Sequence, residues 1–132
     1  MIFIDSNIPM YLVGASHPNK IAAREIVERL IVREERFVTD AEVFQEILHR
    51  YRAIDRIDAI QPAFDVLLGV VDEVAGVEIE DVERAKNIVL GRASISARDA
   101  LHIAIMERRG IDQILSFDKG FDAFPGLHRI HS

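Results

Sequence analysis

The chain alternates short apolar runs, each ended by polar residues, with longer segments of helical periodicity. The runs "MIFID" (1–5), "RFVTD" (36–40) and "QILSF" (113–117) have the length and composition of buried strands. Weaker strand signals lie in "VAGVEI" (74–79) and "LHRIH" (127–131). Strands that alternate with helices predict an α/β domain whose mainly parallel sheet of four to five strands carries helices on both faces.

The segments between these runs repeat apolar residues at the spacing of a helix. The clearest is "KIAAREIVERLIVREE" (20–35), which is amphipathic throughout. Thr39 and Glu42 have the spacing of a capping box, which predicts that a helix over 40–53 begins there. The pattern over 55–71 is also helical, with a kink expected near Pro62 because proline lacks the backbone donor. Other helices are predicted over 6–14, 80–91 and 96–109.

Composition indicates a single folded domain over residues 1–132. Hydrophobic residues make up 49% and charged residues 29%, which is typical of globular proteins. Cysteine is absent, which excludes disulfides and thiolate metal sites and fits a reducing compartment. The start "MIFIDSN" has no basic segment of a signal peptide, and the run "VLLGVV" is far too short to span a membrane. We therefore expect a cytoplasmic protein without a membrane association.

The net charge of −6 by itself disfavours a polyanionic partner, since nucleic-acid affinity depends largely on basic side chains. Thirteen of the sixteen basic residues are arginine, the better bidentate ligand for phosphate. Arginine also serves ordinary surface ion pairs, and composition alone favours that interpretation.

Aspartates follow two of the predicted strands. Asp5 ends the first run, and Asp118 and Asp122 come just after "QILSF". Because ligands of parallel sheets gather beyond the carboxyl ends of strands, these acids are candidates for one site. Each also has a structural interpretation, as a helix cap at Asp5 or as turn formers at Asp118 and Asp122.

Two predicted helices each add an acid. Glu46 in "VFQEIL" lies within an apolar stretch, where it needs a partner; a salt bridge to Arg50 is the structural alternative to a functional role. Asp99 in "SARDALHIA" either supports the Ser96 cap at the positive end of its helix or belongs to a metal site. His102, one turn later, is more typical of a core histidine that is hydrogen-bonded at one nitrogen than of a metal ligand.

Together these acids form a set of hard oxygen ligands without cysteine or a paired histidine motif. Oxygen ligands select Mg²⁺ or Mn²⁺ over zinc and copper. Crowded carboxylates repel one another, so they need a cation unless they are protonated. Magnesium retains several waters and leaves room for phosphate oxygens, which favours hydrolysis of a phosphodiester by a metal-activated water.

Four motifs, in order along the chain, resemble those of PIN-domain nucleases: "FIDSNI", "VFQEIL", "SARDALHIA" and "LSFDKGFD". At this length the chain is most similar to the VapC-type toxins of toxin-antitoxin pairs. The resemblance spans essentially the whole chain and implies a three-layer α/β/α PIN domain. It also implies a Mg²⁺-dependent endoribonuclease that forms homodimers and is inhibited, in a hetero-oligomer, by a VapB-type antitoxin.

The resemblance also assigns roles to residues. Asp5, Glu46, Asp99 and Asp118 would be the catalytic quartet, in which Asp5 and Asp99 are the principal Mg²⁺ ligands and Glu46 positions the metal or the attacking water. Asp118 or Asp122 would complete the metal site, and the sequence leaves that choice open. Asn7 and Ser116 match the polar residues that brace such sites, while Arg50 and Arg98 are candidates for contact with substrate phosphate.

Three alternatives stay open at the level of sequence. A haloacid-dehalogenase-type phosphatase would need a second acid two residues after Asp5, where this chain has Asn7. A non-catalytic α/β interaction module would use the acids as caps, turns and salt bridges. A PIN-domain nuclease of RNA maturation or decay would keep the fold and the chemistry but not the toxin role.

Overall fold

The computed structural model describes residues 1–132, and five strands form one parallel sheet at its centre. The order across the sheet is β3-β2-β1-β4-β5, with β1 in the middle. The strands are β1 (Ile2–Ile4), β2 (Phe37–Asp40), β3 (Glu73–Ala75), β4 (Gln113–Leu115) and β5 (His128–Ile130).

Six α-helices cover the two faces of this sheet and complete a three-layer fold, as the alternating pattern predicts. Helix α1 packs against α2 and α4, and α5 packs along α6. The helices are α1 (Asn7–Val13), α2 (Pro18–Val32), α3 (Ala41–Ala53), α4 (Ile60–Val70), α5 (Ile79–Gly91) and α6 (Ala97–Arg108); short 3₁₀ helices span Ile57–Ala59 and Lys119–Ala123.

The register of the central strands sets the position of the site. Ile2 of β1 pairs with Phe37 of β2 and with Gln113 of β4, so the three strands end at nearly the same level. The backbone N–H of Asp5 donates to the carbonyl of Leu115 at 3.1 Å, which extends the contact one residue beyond β1. Residues that follow β1 and β4 therefore lie side by side at the carboxyl edge.

The start of α3 differs from the predicted capping box. The cap is Asp40, whose carboxylate accepts a hydrogen bond from the backbone N–H of Val43 at 2.8 Å. Thr39 is the residue before it, still within β2, and its hydroxyl donates to the carbonyl of Ile4 at 2.9 Å. A buried hydroxyl in a sheet is satisfied by the neighbouring strand, so Thr39 does not cap the helix.

The predicted helical segment around Pro62 consists of two elements. The helical pattern over 55–71 divides instead into the 3₁₀ turn Ile57–Ala59 and α4, which begins at Ile60. Pro62 thus lies in the first turn of α4, where the backbone N–H has no partner within the helix in any case. Proline there marks a helix start and needs no bend.

A core of 27 buried apolar residues joins the sheet to both helical layers. Phe3, Phe37 and Ile114 are its large sheet residues, and each is at most 2% exposed. Such burial contributes about 25 cal/mol for each square ångström of apolar surface removed from water, so it dominates the stability of the fold. None of the helices combines the length and the apolar character that a membrane-spanning segment requires.

Candidate active site

Side chains from four parts of the chain converge at the carboxyl edge of the sheet. Asp5 follows β1, Asp118 follows β4, Glu46 lies in α3 and Asp99 in the first turn of α6. The structure brings all four predicted acids together around two adjoining grooves. We call these four residues the acid cluster.

Hydrogen bonds fix the carboxylate of Asp5 firmly. Its Oδ1 accepts from the backbone N–H of Ser6 at 2.8 Å, and its Oδ2 accepts from the Ser116 hydroxyl at 2.6 Å and from the Asn7 amide at 3.1 Å. Asn7 also donates to the Ser116 hydroxyl at 3.1 Å. Because Asp5 is 4% exposed, burial raises its pKa, an effect that nearby His102 and the Ser116 hydrogen bond oppose. Asn7, at the start of α1, and Ser116, just after β4, thus hold Asp5 in place.

Glu46 interacts with three groups, none of which is the predicted Arg50. The Ser6 hydroxyl donates to its Oε1, and Arg98 Nε lies 3.5 Å from its Oε2. His102 Nε2 lies 3.8 Å from the same oxygen. Burial alone would raise the pKa of Glu46, but His102, Ser6 and Arg98 outweigh burial and lower it. Glu46 is therefore an ionised carboxylate held by cations on one side.

Asp99 has a different environment. Its backbone N–H donates to the Ser96 side chain at 3.1 Å, so the predicted cap of α6 is present. Its carboxylate forms no ion pair with any lysine, arginine or histidine. Burial and the negative charges of Asp5 and Asp118 raise the pKa of Asp99 to about 7. Asp99 thus experiences repulsion from neighbouring carboxylates that the more distant charge of His102 only partly offsets.

His102 lies fully buried beneath the cluster. Its Nδ1 is 2.7 Å from Oδ2 of Asp40, itself fully buried, as expected for a core histidine bonded at one nitrogen. Its Nε2 has no hydrogen-bond partner, and the 3.8 Å to Glu46 is too long for a hydrogen bond. Burial alone would lower the pKa of His102, but the carboxylates of Asp40 and Glu46 raise it to about 10. A buried imidazolium therefore lies next to the acids.

The structure separates the two candidates that follow β4. Asp118 lines both grooves, and a Cβ at Gly120 would come within 3.1 Å of Asp118 and 3.5 Å of Asp99. Asp122 instead forms a bidentate pair with Arg129 at 2.9 and 3.0 Å, which lowers its pKa. Asp122 lines neither groove. The geometry thus groups Asp118 with the cluster and commits Asp122 to a surface ion pair.

Two grooves meet at the cluster, and Glu46 and Asp118 line both. One, of about 810 Å³, runs between α3, α5 and α6 and also contains Asp99; we call it the wide groove. The other, of about 540 Å³, runs between α1, the following loop and α3 and also contains Asp5; we call it the aromatic groove, for Tyr11, His17 and Phe117 in its wall. A strand of substrate that crossed the cluster would extend into both.

The two candidate phosphate ligands lie in different grooves. Arg98 lines the wide groove, but its Nε is 3.4 Å from Glu42 and 3.5 Å from Glu46, so its charge is partly neutralised. Arg50 lines the aromatic groove, is exposed and forms no ion pair. Of the two, Arg50 has the more available positive charge.

The donor set suits a hard divalent cation that keeps most of its waters. The carboxylates of Asp5, Asp99 and Asp118 are hard oxygen donors whose mutual repulsion a cation would relieve. No three acidic or histidine side chains converge closely enough to hold a metal by themselves. A metal here would therefore take its other ligands from water or from phosphate oxygens, as Mg²⁺ commonly does.

Sequence reasoning missed two parts of this site. Asp40 was expected only as part of a helix start, although it ends "RFVTD" just as Asp5 ends "MIFID". The repeated strand-end aspartate was a signal that Asp40 lies on the same edge. The hydroxyl of Ser6 gave no such signal, because only the packing of α3 against the end of β1 brings it to Glu46.

The fold and the sequence define the class of this protein. The model of the PIN domain family matches residues 2–127. The chain therefore belongs to the PIN-domain family. Within that family it groups with the VapC ribonucleases: it is 58% identical to ribonuclease VapC13 of Mycobacterium tuberculosis over 98% of this chain and 99% of that protein. It is 38% identical to ribonuclease VapC23 of the same species over 89% of this chain and 93% of that protein.

Solved structures agree on the fold. VapC20 of Mycobacterium tuberculosis, described as a toxin that cleaves the sarcin-ricin loop, superposes with a TM-score of 0.76 over 97% of this chain and 99% of that chain, at 23% identity. The VapBC2 complex of Rickettsia felis, bound to a DNA fragment from its promoter, gives a TM-score of 0.74 over 98% of both chains at 13% identity. At these identities the likeness supports the fold alone.

Proposed function

We propose that the protein is a metal-dependent endoribonuclease, the toxin of a toxin-antitoxin pair, that hydrolyses RNA phosphodiester bonds at the acid cluster. The observation that carries this proposal is the convergence of Asp5, Glu46, Asp99 and Asp118 where the two grooves meet. VapC relatives named as ribonucleases, one of them 58% identical along nearly the whole chain, support RNA as the substrate. PIN-domain nucleases of the VapC type generally depend on a divalent metal, and the oxygen donors favour Mg²⁺ with Mn²⁺ as a substitute.

In this proposal, Asp5 and Asp99 would hold the metal, and Asp118 would complete the site directly or through a bound water. Asp118 is preferred over Asp122 because Arg129 already pairs with Asp122. When bound, Mg²⁺ would supply a water of lowered pKa and offset charge on the phosphate. Glu46, ionised at neutral pH, accepts a hydrogen bond from the attacking water and orients it.

The remaining residues position these groups. Asn7 and Ser116 keep Asp5 at a fixed orientation, so little reorganisation is needed when substrate binds. Arg50, and Arg98 more weakly, contacts phosphates on either side of the bond that is cleaved.

The proposed partner is an antitoxin of the VapB type. Solved neighbours of this fold include toxin-antitoxin complexes from Klebsiella pneumoniae and Salmonella typhimurium. The uncompensated charge near Asp99 would attract a basic side chain laid across the grooves. Normal inhibition by an antitoxin whose basic residues had all been replaced would count against this mode of inhibition.

We further propose that residues 1–132 act as one PIN domain, because a single sheet and a single core include both ends of the chain. A homodimer and a toxin-antitoxin hetero-oligomer are the expected assemblies, which light scattering of the toxin with and without the antitoxin would test. The cysteine-free sequence and the RNA substrate favour the cytoplasm as the location.

The deciding experiment incubates total bacterial RNA with purified protein in Mg²⁺, Mn²⁺ or EDTA. We expect discrete fragments that require metal and that fall by about 100-fold or more with Asp5→Ala and with Asp99→Ala. Asp112→Ala is the matched control, because Asp112 is exposed and lines neither groove. A fragment pattern shared by wild type and both site variants would indicate a contaminating ribonuclease and refute the proposal.

A second measurement tests the metal site without cleavage. Millimolar Mg²⁺ should raise the thermal midpoint of the wild type, because a cation bound to the native state stabilises it. The rise should be lost in Asp99→Asn and kept in Asp112→Ala. An equal rise in all three proteins would mean that the metal binds elsewhere.

A further inference from the structure

Three rings form a row along one side of the aromatic groove. The ring centroids of Tyr11 and His17 are 5.1 Å apart with planes inclined at 35°, and those of Tyr11 and Phe117 are 5.6 Å apart in an edge-to-face arrangement. Tyr11 is therefore the middle of the row. It contacts aromatic neighbours on both sides, so its orientation is restrained.

These rings remain accessible and have no role in the acid cluster. His17 is exposed, and Tyr11 and Phe117 are only partly buried. The groove that they line also contains Asp5 and Asp118, so it opens directly onto the site of the proposed chemistry. The wide groove, in contrast, is lined by aliphatic and charged side chains and contains no aromatic residue. The aromatic surface is thus confined to one side of the cluster.

Polar groups accompany the rings. The exposed Arg50, which forms no ion pair, lines the same groove, as does the side chain of Ser16. His17 Nδ1 accepts a hydrogen bond from the backbone N–H of Asn19 at 3.0 Å, so in the neutral ring Nε2 carries the hydrogen and is a free donor. The groove therefore combines π faces, a hydrogen-bond donor and a positive charge next to a cluster of acids.

We propose that the aromatic groove is a nucleobase subsite, which binds one unstacked base of single-stranded RNA next to the phosphate that is cleaved. Tyr11 and His17 stack on the base, and Arg50 pairs with the adjoining phosphate. Every base has a π face, so this contact anchors the strand with little regard to sequence. The inference rests on the proposed ribonuclease function and assigns one half of its substrate path.

Two substitutions remove a ring while preserving its structural role. Tyr11→Leu removes the ring but keeps an apolar side chain against the core. Tyr11→Phe serves as its control, because it keeps the ring and removes only the hydroxyl. His17→Asn keeps a side chain that can cap α2, since His17 is the N-cap of that helix. Phe64→Leu is the matched control, because Phe64 also pairs edge-on with an aromatic residue, Phe44, and lines neither groove.

The first test measures binding separately from cleavage. Each substitution is combined with Asp99→Asn, and the dissociation constant for a fluorescently labelled short single-stranded RNA is measured at fixed salt. Tyr11→Leu should raise that constant roughly 5- to 100-fold, and His17→Asn should raise it in the same direction. Tyr11→Phe and Phe64→Leu should bind as the parent does. Parent-like binding by Tyr11→Leu, or an equal loss with Phe64→Leu, would overturn the inference.

The second test locates the base. After the cut is mapped with the active protein, each flanking nucleotide is replaced in turn by an abasic one. One replacement should reduce kcat/KM of the wild type roughly 5- to 100-fold and have little further effect in Tyr11→Leu. Fully additive losses at every position would show that the ring and the base do not interact.

The two proposals fail in different ways. If the wild type cleaves no RNA in any metal but binding still depends on Tyr11, the catalytic proposal fails and the subsite stands. If metal-dependent cleavage is lost with Asp99→Ala yet Tyr11→Leu binds and cleaves as the wild type does, the subsite fails and the catalytic proposal stands.

Discussion

The acids of this protein occupy two contrasting environments. Asp81, which is buried, accepts hydrogen bonds from Arg108 at 2.8 and 3.0 Å, and its pKa is lowered because that arginine and the cap of α5 outweigh burial. Asp99 has no such cation, and burial together with other acids raises its pKa to about 7. An aspartate is thus paired with a cation at one place (compensated) and has no cationic partner at the other (uncompensated).

This contrast locates the unrelieved repulsion between carboxylates at the acid cluster. Two other acids outside the acid cluster also have a cationic partner within 3 Å, since Arg129 pairs with Asp122 and His102 with Asp40. At the carboxyl edge, Asp5 and Asp99 have no such partner, which is a cost that an interaction module has no reason to retain.

The largest loss of stability is expected from His102→Leu, which removes the buried cation beneath the acid cluster. Asp40 would then be fully buried without its partner, and breaking a buried pair costs about 3 kcal/mol or more. Urea denaturation measures the loss. Adding Asp40→Asn, which keeps a capping side chain, should recover part of it. A loss below about 1 kcal/mol would mean that this pair does not hold α3 to α6.

A smaller loss of stability is expected from Asp81→Ala, which removes an acid that is paired with an arginine. The change removes the pair with Arg108 and the hydrogen bond that Asp81 accepts from the backbone N–H of Glu78 at 2.9 Å. We expect a loss of about 2 kcal/mol in the free energy of unfolding. Glu107→Ala breaks the exposed pair with Arg84 and should cost less than about 1 kcal/mol, which makes it the control.

Asp99→Asn, unlike the two substitutions above, is expected to increase the stability of the metal-free protein. Because the pKa of Asp99 rises from 3.8 unfolded to about 7 folded, the native state binds more protons in that range, and stability falls as pH rises from about 4 to 7. Removing the charge should therefore stabilise the metal-free protein above pH 7 by about 1 kcal/mol, allowing for solvent screening.

Thermal melts from pH 4.5 to 8 without metal would measure this difference. The gap between Asp99→Asn and the wild type should widen with pH and narrow when Mg²⁺ is added. A variant that is less stable than the wild type at pH 8 would place Asp99 among the structural acids and remove the contrast.

The smallest effect is expected from Asp122→Asn. Its carboxylate is about half-exposed, and the mostly buried guanidinium of Arg129 keeps its hydrogen bond to the carbonyl of Ser116 at 3.2 Å, so removing the charge of Asp122 should cost little. Both the thermal midpoint and the rate of RNA cleavage should stay close to the wild type. A loss of cleavage comparable to that of Asp118→Asn would place Asp122 at the metal after all and show that its pairing with Arg129 changes in the working enzyme.

Local patterns predicted most of the elements and the four acids. The alternation of apolar runs with helical segments identified the parallel sheet, and the rule for strand ends indicated Asp5 and Asp118. The capping box at Thr39 was wrong, since a short sequence pattern does not reveal which hydrogen bonds the neighbouring strand supplies. Similarly, Glu46 has the spacing for a pair with Arg50, but the packing of α6 presents Arg98 to it instead.

The fold class, the four acids and the hard donor chemistry they offer can be read from the chain alone, because they depend on residue types and on short-range periodicity. Which acids have a cationic partner depends on the packing of distant segments. Asp40 pairs with His102, which lies 62 residues away in the chain, and Asp122 pairs with Arg129. Both pairs depend on distances in space, because electrostatic energy depends on the separation of the charges. The row formed by Tyr11, His17 and Phe117 likewise exists only because β4 lies beside β1.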